Sequence, residues 1–240
     1  MTDAKLAVEQ LEAGYGPVRV VHGMDLALEP GAIGAILGPN GAGKSTTCKT
    51  LAGYLPAVGG RIVLDGVDVT AKPCWWRARN GIFLVPEGRG IFPGLSVEDN
   101  LKVLLPKSSE RQQVFERFRV LGERRRQNAG SLSGGEQQML SLAPTLVHRT
   151  EVLIVDEPTL GLAPRVADDV LSIFTELRDA GTTVLLVGES PHGIVDIADH
   201  ISLLHVGRIT WSGPASELDQ ATLEESYFGD SAEVPATETH

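Results

Sequence analysis

The residues Gly38-Pro39-Asn40-Gly41-Ala42-Gly43-Lys44-Ser45-Thr46 fill every fixed position of the pattern G-x-x-x-x-G-K-[ST]. The glycines let a backbone loop turn its N–H groups inward onto a phosphate. Lys44 adds a point charge for the β- and γ-phosphates, and the Ser45 hydroxyl can ligate Mg²⁺. A helix opening at Lys44 would add the positive end of its dipole. The chemistry implied is binding of a nucleoside triphosphate with Mg²⁺.

Two further stretches carry chemistry. Val152-Leu153-Ile154-Val155-Asp156-Glu157 is a continuous apolar run ending in two carboxylates. That is the form of a Walker B strand, in which Asp156 holds the Mg²⁺ water shell and Glu157 polarises the attacking water. Ahead of it, Leu132-Ser133-Gly134-Gly135-Glu136 places a hydroxyl and bare backbone amides at the start of a helix, which makes an anion site.

The elements that must position these residues are legible from periodicity. Residues 32–37 form a short apolar run of buried-strand type just before the phosphate loop. Residues 6–13 alternate like an edge strand and are broken by Gly14-Tyr15-Gly16. Tyr15 reads equally as a stacking platform for adenine and as a loop aromatic packed on the sheet. Val20-Val21 and residues 24–28 look like further strand, closed by Glu29-Pro30-Gly31. Residues 54–60 read as a loop and 61–69 as a hairpin turning at Asp65-Gly66. The phosphate-binding core thus carries an antiparallel β layer near its N-terminus.

Residues 74–80 read as a short helix, with Trp75 and Trp76 as packing residues, and 82–85 as a buried strand. Ser96 is expected to cap a helix with Asp99 as its partner. Val114, Phe115, Phe118 and Leu121 are spaced for one helix over 108–127, and its charged end, 123–127, reads as a solvated face. Met139, Leu142, Ala143, Leu146 and Val147 follow one face of the helix after Ser133. The polar tail 229–240 is expected to be disordered.

Composition excludes several classes. The formal charge of −10 argues against nucleic acid or anionic lipid as a non-specific partner. No run approaches the length of a membrane span, and the first residues lack the basic-then-apolar design of a signal peptide. Cys48 and Cys74 have neither metal-ligand nor C-x-x-C spacing and read as plain thiols of a reducing, cytoplasmic setting.

Residues 38–46, 132–136 and 152–157, in this order and spacing, resemble the ATP-binding subunit of an ABC transporter. Detail within 85–93, 133–140 and 157–164 resembles the LivF-type ATPase of branched-chain amino-acid importers, where Glu stands in place of the usual Q-loop Gln, as Glu87 does here. The resemblance implies an α/β fold: a P-loop NTPase core with an N-terminal antiparallel β lobe and an inserted helical lobe at about 88–140, in a single domain spanning 1–228. It implies Tyr15 as the adenine-stacking aromatic, and Glu87 beside Ser45 and Asp156 at the metal and γ-phosphate. Leu132, Ser133, Gly134, Gly135 and Glu136 would act on ATP held by a partner chain.

By the same likeness the chain pairs with itself or with a sister ATPase and works with two membrane permease subunits. It would serve a solute-binding protein indirectly and sit on the inner face of the cell membrane. Two residues depart from the pattern. Pro144 falls inside the expected signature helix, where an interior proline costs ~3 kcal/mol or kinks it. Glu189 stands at the switch position, where most relatives have His and the LivF type Gln, while His192, three positions later, reads as an exposed loop histidine. Amino-acid import, another ABC transport task such as lipid export, and a regulatory module with slow turnover are the functions compatible with these residues.

Overall fold

The computed structural model describes residues 4–148 and 150–228; the tail 229–240, expected to be disordered, lies outside them. Strands β1 (Leu6–Tyr15), β2 (Val18–Leu28) and β3 (Ile33–Leu37) lead into helix α1 (Lys44–Leu51). Then come β4 (Ala57–Leu64), β5 (Val67–Asp68), α2 (Cys74–Arg79) and β6 (Ile82–Val85). Helices α3 (Val97–Leu104), α4 (Ser108–Arg117), α5 (Arg119–Glu123) and α6 (Gly134–Leu142) follow. The rest alternates: β7 (Val152–Asp156), α7 (Pro164–Asp179), β8 (Thr183–Gly188), α8 (Ile194–Ile197), β9 (His200–His205), β10 (Arg208–Pro214) and α9 (Gln220–Phe228).

Two sheets result. One is antiparallel in the order β2-β1-β4-β5, and the other runs β10-β9-β3-β8-β7-β6, parallel except for β10 against β9. The central strands of the second sheet are buried on both faces, which is why they read as unbroken apolar runs. The strand period of two divides their side chains between two cores. Leu153, Val155, Val184 and Leu186 join the helices on one face. Ile36, Ile154, Leu185 and Val187 pack with α1 and the antiparallel sheet on the other. Among the described residues no helix is long and apolar enough to cross a membrane.

Several expectations are corrected. The strand beginning at Leu6 lies inside its sheet, flanked by β2 and β4, because alternation reports which face is buried and not how many neighbours a strand has. Val20-Val21 and 24–28 are one strand. Part of the expected loop 54–60 is strand: Gly60, at φ 79°, sits at a bulge where a Cβ would meet the Gln10 carbonyl at 2.3 Å.

The single helix expected over 108–127 breaks at Phe118, which has φ −111° and ψ 79°, and this turn buries Phe118 and Leu121 with Val114. Nor is 123–127 simply solvated, since Arg125 lies over the Phe115 ring at 3.9 Å and Arg124 pairs with Glu136 at 3.3 Å. Trp76 packs against the core, whereas Trp75 is exposed with Arg79 over its ring. Ser96 caps α3 as expected, accepting the Asp99 N–H at 3.0 Å. Pro144 neither kinks nor strains α6, which ends at Leu142 in a 3₁₀ turn, Ala143–Leu146, with Pro144 near its start, where no N–H is needed.

Candidate active site

The strand-to-loop-to-helix passage from β3 through 38–43 into α1 builds the phosphate cradle. Two glycines are required by geometry. A Cβ at Gly38 would meet the Leu204 carbonyl of β9 at 2.0 Å, and Gly43 takes φ 107°, a left-handed conformation that bends the chain into α1. The Lys44 ammonium is buried here: it donates to the Gly38 carbonyl at 2.9 Å and the Pro39 carbonyl at 3.2 Å. It also lies 3.3 Å from Glu157 Oε1. These are lone-pair partners that a phosphate oxygen would replace with a stronger charge-assisted bond.

At the carboxyl end of β7, Asp156 is 4% exposed and its Oδ1 has no hydrogen-bond partner. Burial pushes its carboxyl above the usual carboxylate range; a Ser45 hydrogen bond works against the shift, and the charges of Glu157 and Glu87 add to it. A buried, unsatisfied oxygen next to the Ser45 hydroxyl fits a hard divalent cation, so Ser45 and Asp156 are suited to hold Mg²⁺ and Glu87 stands close enough to influence them.

Glu157 follows with φ 54°, outside the region most side chains adopt. Its N–H donates to the Val187 carbonyl at 2.7 Å, fixing the residue against β8. Its Oε2 accepts the Glu189 N–H at 3.1 Å. The Glu189 carboxylate in turn accepts the Asn40 side-chain amide at 2.8 Å. Glu189 therefore touches both the phosphate loop and the strand-end carboxylate.

These side chains enclose a cleft of about 330 Å³ lined by Asn40, Gly41, Gly43, Lys44, Ser45, Thr46, Glu87, Glu157 and Glu189, with Val20 and Leu160. The cradle, the Walker B end, Glu87 and Glu189 thus converge from four separate segments. Val20 and Leu160 were not singled out by the sequence; their positions, in a strand and beside Glu157, carried no chemical signal of their own. Tyr15 is exposed at the turn between β1 and β2 and does not line the cleft. His192 is an exposed loop residue, as read.

The signature residues lie elsewhere. Ser133 caps α6 in a full capping box: its hydroxyl accepts the Glu136 N–H, and Glu136 Oε2 accepts the Ser133 N–H at 2.9 Å. Gly134 and Gly135 are small because Leu162 and Val166 press on them: a Cβ would meet Leu162 at 2.8 Å and Val166 at 2.3 Å. None of 132–136 lines this chain's own cleft, and Ser133 is exposed.

Comparison with known proteins agrees with this geometry. Residues 21–160 match the ABC transporter family. The chain is 36% identical over 231 residues to the high-affinity branched-chain amino acid transport ATP-binding protein BraG of Pseudomonas aeruginosa, covering 93% of this chain and 99% of that one. It is 35% identical to a probable branched-chain amino acid transport ATP-binding protein, LivF, of Archaeoglobus fulgidus, covering 89% and 93%. It is also 31% identical to the lipopolysaccharide export system ATP-binding protein LptB of Escherichia coli, covering 95% and 98%. The fold is that of a solved ADP-bound ATP-binding cassette of an ABC transporter, with TM-score 0.78 at 23% identity over 93% and 94% of the two chains. The chain belongs to the ABC transporter family as an ATP-binding, ATP-hydrolysing subunit that uses ATP and Mg²⁺.

Proposed function

We propose that this chain powers an importer for branched-chain or other hydrophobic amino acids. The observation that carries the reading is the likeness to BraG and LivF along nearly the whole chain, together with Glu87 at the Q-loop position. ABC ATPase subunits work as dimers with membrane permease components. Here the dimer is formed with a second copy or a sister ATPase, seated on two permease subunits at the cytoplasmic face of the cell membrane. A solute-binding protein delivers cargo to the permeases.

Within the cleft, Lys44 and the amides of 38–46 hold the phosphates, and Ser45 and Asp156 would hold Mg²⁺, which when bound would supply positive charge against the phosphoryl oxygens. Glu157 orients and polarises the attacking water from the γ-phosphate side. Glu87 reports on the metal and γ-phosphate to the helices that follow β6. The position of Ser133 outside its own cleft supports its use on the partner's ATP, so the closed dimer completes two sites. Tyr15, exposed near the mouth of the β1–β2 turn, serves the adenine.

The test is reconstitution of this chain with the permease subunits that co-purify with it and a cognate solute-binding protein. Amino-acid import of the branched-chain class supports the reading. A second reading, lipid export, rests on the likeness to LptB; ATPase activity stimulated by a lipid substrate and indifferent to amino acids would replace the first reading with the second.

A further inference from the structure

Helix α9 reaches the loop that carries Glu189. Ser226 of α9 is fastened to the sheet by two contacts: its carbonyl lies 3.0 Å from His205 Nδ1, and its hydroxyl 3.1 Å from the Thr210 hydroxyl. The next residue, Tyr227, carries its phenol back across the molecule and donates to the Glu189 carbonyl. The phenol is half-buried. Burial, then the charges of Glu189 and Glu157, push it up to about 12, while a hydrogen bond from the Gly38 backbone acts the other way, so it stays a donor throughout the working pH range.

Three groups of Glu189 are therefore held at once. Its N–H goes to Glu157 Oε2, its carboxylate takes the Asn40 amide, and its C=O takes the Tyr227 hydroxyl. The N–H and C=O lie on either side of the Glu189 Cα, so fixing both fixes the backbone rotations between them. Removing the phenol's hydrogen bond frees the following peptide to turn, which loosens one of the anchors on the residue whose N–H is given to Glu157.

We propose that Tyr227 is a positioning residue for hydrolysis: through the Glu189 backbone it holds the Glu157 carboxylate in its working orientation, which makes docking of α9 on the sheet a condition of full turnover. This rests on the assignment of Glu157 as the base. The α9 helix, remote from the phosphates in sequence, becomes a place at which a partner or a truncation acts on the rate.

The experiment compares the purified full chain with Tyr227→Phe, Glu157→Gln and the double variant. Tyr227→Phe keeps the ring and its packing, and melting temperature with ATP-analogue binding checks that the fold and cradle are intact. The expected result is a kcat about five- to tenfold lower, the loss of one oriented hydrogen bond, with KM for ATP changed by less than about twofold. In the Glu157→Gln background the same substitution should cost nothing further, because the group it positions is gone. A purely structural role would move KM and melting temperature and would repeat its effect in the double variant. Wild-type kcat for Tyr227→Phe, or a full second loss in the double variant, overturns the proposal alone. Normal turnover by Glu157→Gln overturns the base assignment and the proposal with it.

Discussion

Glu189→Gln should raise the ATPase rate. The Glu189 carboxylate lines the cleft and its hydrogen-bond partner is the neutral Asn40 amide at 2.8 Å, so its charge is solvated and oriented but not neutralised by that contact. Glu87, Asp156 and Glu157 stand around the same space, and Lys44 is shared with Glu157. A unit charge on a phosphate about 4 Å away would feel a repulsion of about 4 kcal/mol at an effective dielectric of 20. Glu189 is only half-buried, so solvent takes most of this; about a third, ~1.4 kcal/mol, is a reasonable remainder. That corresponds to a roughly tenfold gain in kcat/KM when the charge is removed. Gln keeps a carbonyl oxygen for the Asn40 amide, so the substitution deletes the charge and leaves the geometry. Steady-state phosphate release by the two proteins, alone and with a sister subunit, is the assay. No increase in either setting refutes the electrostatic argument.

Other substitutions probe the rest of the machinery. Ser133→Arg should block ATP-driven dimerisation in gel filtration while leaving nucleotide affinity of the monomer within about twofold, since Ser133 is outside its own cleft; a large loss of monomer binding would contradict a shared site. Asp156→Asn should raise the melting temperature of the nucleotide-free protein by roughly 2–4 °C, by removing a buried, partly unsatisfied carboxylate. The sign also follows from titration: a carboxyl held above its unfolded range contributes stability at low pH that is lost as pH rises through the raised value. The same variant should lose the added stabilisation by Mg²⁺ with ATP. Arg77→Met should destabilise by ~3 kcal/mol, read as a lower denaturation midpoint. Its buried guanidinium donates to the carbonyls of Thr50, Leu51, Thr70 and Lys72, and without it the C-terminal carbonyls of α1 lose their donor.

The phosphate loop and the strand-end carboxylates were legible because each is a local pattern whose residue types suit the group it would hold, and the signature stretch because a Ser-x-x-Glu capping box is itself a local pattern. The strands around them were legible for the same reason: burial on both faces leaves an unbroken apolar run, as in β7 and β8. What sequence concealed depends on distant partners. Arg77 looks like any basic residue of a short helix until four carbonyls from two other segments are seen to surround it. Gly59 and Gly60 read as loop because glycine marks loops and bulges alike, and only the neighbouring strand decides between them. Pro144 read as a defect because the end of α6 could not be placed; once the helix stops at Leu142 the proline is compatible with its position. Glu189 was visible as an oddity, whereas its ties to Asn40, Glu157 and Tyr227 join residues far apart in the chain.

The proposed hydrolysis turns on Glu157 as the residue that polarises water, held by the Val187 carbonyl, the Glu189 N–H and Lys44. Phosphate release by Glu157→Gln measures it most directly. The expected result is ATP binding retained, turnover lower by on the order of 10²-fold or more, and an ATP-bound dimer that persists in gel filtration. Turnover at the wild-type rate would contradict it.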